Sequence, residues 1–172
     1  MDTRSRVYAL RALGRIGGEA GLAVVGEALA DSDPQVFDQG LRLAGEEKLL
    51  PAVGICRRAF VGAPHGESRR RAAQLLLRCG EEGVETLMAF AAQGELEERV
   101  TAALLLAETG TRGPLVALAE EMLESEDWSE RKAAVRLLHH WDRLTSQMQS
   151  RAAADPHVAV RRAAATLKIR AC

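Results

Sequence analysis

Two stretches, "DPQVFDQGLRLAG" (33–45) and "DPHVAVRRAAATL" (155–167), carry nearly the same phrase at distant points in the chain. Each opens on Asp-Pro, places a valine two residues later, and continues into small residues and leucines. Working outward from them, a small residue recurs as Ala9, Gly40, Ala72, Ala102, Ala133 and Ala163, in steps of 30 to 32. Each is followed at once by Leu10, Leu41, Ala73, Ala103, Ala134 or Ala164, and four positions on by Leu13, Ala44, Leu76, Leu106, Leu137 or Leu167. Apolar residues at i, i+1 and i+4 fall on one face of a helix. A period of about thirty residues leaves room for two helices of about twelve and two short turns. The phrase recurs because each copy starts a stacking unit: one hairpin cannot bury its own apolar face, so neighbours must cover it.

The spacing predicts one domain over 1–172, in repeats at about 2–32, 33–64, 65–94, 95–125 and 126–154 and a partial sixth at 155–172. First helices are expected at 3–16, 35–45, 67–79, 96–109, 128–141 and 157–170. Second helices are expected at 19–30, 48–61, 82–93, 114–124 and 143–153. Breakers separate them: Gly17-Gly18, Gly45, Gly80, Gly83, Gly110 and Gly113 within repeats, and "GAPHG" (62–66) and Gly94 between them. Asp33-Pro34 and Asp155-Pro156 read as an N-cap with proline at the first helical position. Asp127 with Glu130 three residues on reads as a capping box. Pro51 and Pro114 are expected in the first turn of a second helix, where a missing N–H costs nothing.

Composition agrees with an all-α reading. Of the 172 residues 47% are apolar, mostly Ala and Leu, and only 3% aromatic. So few aromatics disfavour a large aromatic-lined ligand pocket. No apolar run is long enough to span a bilayer, and "MDTRSRVYALRALG" (1–14) carries charges where a signal peptide needs an apolar stretch. Cys56, Cys79 and Cys172 are odd in number and far apart in sequence, which points away from a disulfide framework or zinc site and toward a reducing, cytoplasmic compartment. Cys56 and Cys79 read as buried core residues rather than nucleophiles.

Asp-Pro-x-Val at 33–36 and 155–158, Val160-Arg161-Arg162-Ala163-Ala164 and "ALRALGRIGGEAGLAVV" (9–25) resemble the short HEAT-like repeats of bacteria, the type also found in phycobilisome lyases. The likeness covers nearly the whole chain. It departs at Phe37, where the pattern has a basic residue, and at "HHWD" (139–142), where it has a glycine turn. The resemblance implies a right-handed α-solenoid, an α-α superhelix of about five and a half HEAT-like hairpins, whose second helices line a concave face. It also implies that an arginine near the start of a first helix commonly bridges neighbouring repeats through acidic partners. It does not imply one function.

Chemistry is sparse. HEAT-like deoxyhypusine hydroxylases bind iron through His-Glu pairs, and this chain has none; adjacent His139 and His140 diverge by about 100° on a helix. HEAT-like DNA alkylation-repair glycosylases use aromatic and acidic residues in a basic groove, a role for which Trp128, Trp141 and Asp142 have the right chemistry. The simpler reading is that Trp128 packs on the previous repeat and Trp141 plugs the lost glycine turn. No phosphate loop or nucleophile elbow occurs. No catalytic, metal-binding or cofactor-binding residue is assigned, and no cofactor is expected.

Charge is the informative feature. The total is −1, but residues 1–80 sum to +3, 81–130 to −11 and 131–172 to +7. The acidic block interrupts any continuous basic face and disfavours nucleic acid. Second helices should end on the edge where first helices begin, which places Glu95, Glu97, Glu98, Glu120, Glu121, Glu124, Glu126, Asp127 and Glu130 along one edge of repeats four and five. Acids at helix starts complement the dipole; Glu120, Glu121 and Glu124 sit at a C-terminus, where they do not. Unless Arg131 and Lys132 neutralise them, a basic partner segment would. Val158, Val160, Leu167 and Ile169 lie on a last helix with no successor, an end expected to mediate self-association, contact further sequence or fray. The leading functional reading is therefore a non-enzymatic scaffold binding a protein or peptide through this acidic edge. The alternatives are a HEAT-like enzyme or enzyme subunit of the lyase type, and a solenoid binding nucleic acid through its Arg-rich first helices.

Overall fold

A computed structural model of the protein describes residues 2–45, 49–110 and 113–167. Among them the chain forms eleven α-helices and no strand: α1 (Thr3–Ile16), α2 (Gly18–Ala28), α3 (Pro34–Ala44), α4 (Val53–Val61), α5 (Gly66–Arg78), α6 (Glu81–Gln93), α7 (Leu96–Glu108), α8 (Gly113–Leu123), α9 (Trp128–His140), α10 (Ser146–Ala153) and α11 (Val158–Thr166). None of the described helices is long and apolar enough to cross a membrane.

The repeat is legible in the caps. The odd-numbered helices start after Asp2, Asp33, His65, Glu95, Asp127 and His157, in steps of 30 to 32. Five of the six caps have a side chain accepting a backbone N–H of the first turn: Asp2 from Ser5, Asp33 from Gln35, His65 from Ser68, Asp127 from Ser129 and His157 from Ala159. Counted from the caps, the small residue seven positions on is Ala9, Gly40, Ala72, Ala102, Ala134 and Ala164. The sequence alignment is therefore one residue early in the last two copies.

The helices gather into two compact units, 1–90 and 91–172. In the first, α3 packs against both α1 and α2, and α5 packs against α4 and α3. Val25, Phe37, Leu43, Leu49, Phe60, Leu76 and Leu87 are its fully buried large side chains. In the second, α9 packs against α7, α8, α10 and α11, around Leu106, Leu115, Met122, Leu137 and Leu138. Burying each such side chain contributes about 1.5–3 kcal/mol.

Two glycines show why small residues are required. A Cβ at Gly40 would lie 2.9 Å from the Ala28 Cβ and 3.2 Å from its carbonyl carbon, so α3 runs directly against the end of α2. A Cβ at Gly83 would lie 1.8 Å from the Leu76 carbonyl oxygen. Gly83, expected as a breaker, is instead a helical residue that lets α6 fold back on α5.

Boundaries differ from expectation where local chemistry intervenes. The second helix of the second hairpin starts at Val53, because Ala52 is its N-cap and Pro51 lies before it rather than in its first turn; residue 48, its expected start, lies outside the described residues. Pro114 does fall in the first turn of α8. The helix expected at 143–153 starts at Ser146, capped by Thr145, with Leu144 buried in the preceding turn. Asp155-Pro156 is not a cap: Asp155 accepts the His157 N–H at 2.8 Å and α11 starts two residues later than at Asp33-Pro34. Helix α11 ends at Thr166, so Leu167 is extended; Lys168, Ile169 and Arg170 lie outside the described residues. At the "HHWD" departure Asp142 adopts φ 55° in place of a glycine, and Trp141 is buried beside it as the plug the sequence suggests.

Candidate functional site

The same register that sets the caps builds a recurring polar link between consecutive hairpins. The residue four after each cap is Arg6, Phe37, Arg69, Arg99, Arg131 and Arg161. Arg6 reaches from α1 to the turn before α3, with Nη1 on Asp31 (2.6 Å) and Nη2 on Asp33 (3.1 Å). Thr3 also donates to Asp33, and that hydrogen bond is the main reason the Asp33 carboxyl sits below its ordinary pKa. In the second hairpin, where Phe37 is buried in the arginine position, the polarity reverses. Asp38 of α3 accepts from Ser68 Oγ of α5 at 2.6 Å and faces His65 Nε2 at 3.5 Å.

The second unit repeats the device twice. Arg99 of α7 lies 3.3 Å from Glu130 of α9 and 3.7 Å from Glu121 of α8. Its Nε is at ion-pair distance from Glu130 without an aligned hydrogen bond. Arg131 of α9 grips Asp155 with two parallel bonds, Nε to Oδ2 at 2.7 Å and Nη2 to Oδ1 at 3.0 Å. Its Nη1 donates to the Ser125 and Glu126 carbonyls at 2.9 and 2.7 Å. This bond to Arg131 holds the Asp155 carboxyl below its ordinary value and the Arg131 guanidinium above its own. The expected bridging by first-helix arginines thus holds for Arg6, Arg99 and Arg131.

The nine carboxylates expected along the acidic edge all belong to this second unit, but they do not form one continuous free surface. Glu98 and Glu130 are buried. Glu98 Oε2 accepts the Glu95 N–H at 3.1 Å, closing a capping box on α7. The box expected at Asp127 and Glu130 is absent, because the Asp127 N–H donates to Ser125 Oγ and Glu130 turns to Arg99. Asp127 caps α9 through Ser129, whose side chain is the main cause of its lowered pKa. Glu121 is held by Arg99, and Glu124 by both Nη atoms of Arg151, which lower its pKa. Arg99 and Arg151, not Arg131 and Lys132, therefore supply the neutralisation at the C-terminus of α8.

Exposed on this unit are Glu95, Glu97, Glu120, Glu121, Glu124 and Glu126. Glu120 projects from the last turn of α8, which carries no basic residue, and it makes no ion pair among the described residues. A cavity of about 300 Å³ opens next to Glu124, bounded by Arg131, Arg151, Asp155 and Val160.

Sequence reasoning missed three features here. Trp128 also reaches forward: its ring stacks on His157 at 4.1 Å and 17°, with Lys132 Nζ 6.0 Å from its centroid. Gln149 of α10 ties down the last turn of the chain's described part by donating to the Ala164 and Leu167 carbonyls at 3.2 and 2.9 Å. Of the apolar residues expected on the last helix, Val160 is buried and Val158 is 45% exposed, while Ile169 lies outside the described residues. Finally, Arg151 left no periodic signal, since it comes from a second helix. Among the described residues no three His, Cys, Asp or Glu side chains converge as a metal site. No family model matches the chain, and comparison with curated proteins finds no significant match.

Proposed function

We propose that the chain is a non-enzymatic helical-repeat scaffold, a HEAT-like α-solenoid, that binds a Lys/Arg-rich segment of a protein partner along the exposed carboxylates of its second unit. The reading as a repeat rests on caps recurring every 30 to 32 residues and on consecutive odd-numbered helices packing together within each unit. The observation that carries the binding reading is Glu120: an exposed carboxylate at a helix C-terminus, where the dipole disfavours it, without the basic neighbour that Glu121 and Glu124 have. Glu95 and Glu126, both exposed, extend the same charge. The nucleic-acid alternative loses its footing because Arg6, Arg99 and Arg131, which it would put on a free basic face, are engaged between hairpins.

The test separates the exposed acids from the structural ones. Replacing Glu120 and Glu126 by Gln, and leaving the α7 cap Glu95 in place, should weaken binding of an arginine-rich peptide and flatten its salt dependence, with helix content unchanged. Unchanged affinity at low salt would remove the acidic edge as a site.

A further inference from the structure

In the first unit two thiols that lie 23 residues apart in sequence meet: the Cys56 and Cys79 Sγ atoms are 3.9 Å apart. Cys56 comes from the middle of α4 and is fully buried; Cys79 is the C-cap of α5 and is half-buried. The two sulfurs share one acceptor, the Pro51 carbonyl, at 3.6 and 3.8 Å, and Cys79 also lies 3.3 Å from the Leu75 carbonyl. Helices α4 and α5 pack directly on each other. Their separation in sequence points away from a disulfide framework, but tertiary packing brings the two sulfurs together.

We propose that Cys56 and Cys79 form a modification site for a small hydroperoxide, which converts them into an intrachain disulfide pinning α4 to the C-terminal end of α5. Exposure sets the order of events. Only Cys79 is open to solvent, so its thiolate attacks the peroxide. With hydrogen peroxide the O–O bond breaks, one oxygen stays on Cys79 as a sulfenic acid, and the other leaves as hydroxide, which takes up the proton released from the Cys79 thiol and becomes water. Cys56 then attacks the Cys79 sulfur, and the S–O bond breaks. The departing hydroxide takes the Cys56 proton and leaves as a second water. Two thiols lose two electrons in total, and the peroxide gains them. Burial first, and then the neighbouring Cys79, push the Cys56 thiol up to about 12, so it does not react with oxidant by itself and reacts only with a sulfur already delivered beside it. Closing the gap shortens the sulfur separation to about 2 Å. Two equivalents of a small thiol reverse the reaction, leaving as their own disulfide.

The experiment uses the full chain carrying Cys172→Ser, so that only this pair can respond. Hydrogen peroxide should abolish both titratable thiols of the denatured protein, leave a monomer lighter by two hydrogens, and raise the melting temperature; dithiothreitol should restore both thiols. Adding Cys56→Ser should leave a sulfenic acid on Cys79 that a cyclic diketone traps, whereas Cys79→Ser should leave Cys56 unreactive at the same dose. Retention of both thiols, an intermolecular disulfide instead, or equal oxidation of Cys56 in the Cys79→Ser protein would each overturn the proposal. The first readout needs no change at either position, so it stands even if a variant fails to fold.

Discussion

Removing the Arg131 side chain's charge is the most informative perturbation of the inter-hairpin link. The side chains of Arg131 and Asp155 are only 15% and 8% exposed, and the pair is bidentate. Exposed pairs contribute about 0–1 kcal/mol, and breaking a fully buried one costs about 3–5 kcal/mol. Arg131→Met strands a nearly buried carboxylate whose remaining partner is the His157 N–H, and it removes a hydrogen bond from each of the Ser125 and Glu126 carbonyls. We expect a loss of about 2–3 kcal/mol. Asp155→Asn keeps an oxygen for His157 and leaves Arg131 its two carbonyls, so about 1–2 kcal/mol is expected. The double variant should recover part of the sum, giving a coupling of about 1–2 kcal/mol. Both tryptophans of the chain, Trp128 and Trp141, lie in the second unit, so fluorescence-detected urea unfolding reports that unit alone. The pH dependence has a definite sign. The Asp155 pKa is lowered from 3.8, so the pair's stabilisation is fully present above pH 3.8 and is lost as pH falls through the lower folded value. The deficit of Asp155→Asn should therefore be constant at neutral pH and shrink below about pH 4. A coupling below about 0.5 kcal/mol, or a deficit that persists undiminished in acid, would refute the argument.

Further outcomes follow from packing. Leu106 and Leu137 are 0% and 1% exposed, so replacing either by Ala should cost about 2–5 kcal/mol in the same urea experiment. Gly40→Ala should cost about 1–3 kcal/mol despite alanine's better helix propensity, since its Cβ meets Ala28 at 2.9 Å. Gly66→Ala, where nothing lies within 4 Å, should change stability by less than about 0.5 kcal/mol by circular dichroism melting.

The periodic part of the fold was legible because it depends on local spacing. Helix α1 matches its expected bounds, and α7 and α9 start where expected. Misreadings occurred where a side chain outside the apolar pattern decides the turn. Thr145 as a cap delays α10, Ser125 diverts the Asp127 N–H, and Gly83 serves packing rather than chain reversal. The acidic edge was legible as a cluster in sequence but not as a surface. Whether a carboxylate is free depends on arginines from other helices, and Arg99 and Arg151 reach Glu121, Glu130 and Glu124 across the packing. The Cys56–Cys79 pair was illegible for the same reason: sequence distance says nothing about two thiols joined by tertiary packing.

The central claim is that the exposed carboxylates of the second unit receive a basic segment. Fluorescence anisotropy of a labelled arginine-rich peptide, and of a matched glutamate-rich one, titrated with the unmodified chain at low salt and at about 150 mM, tests it most directly. The account predicts binding of the basic peptide only, weakening as salt rises. No binding of the basic peptide at low salt, or equal binding of both peptides, would contradict it.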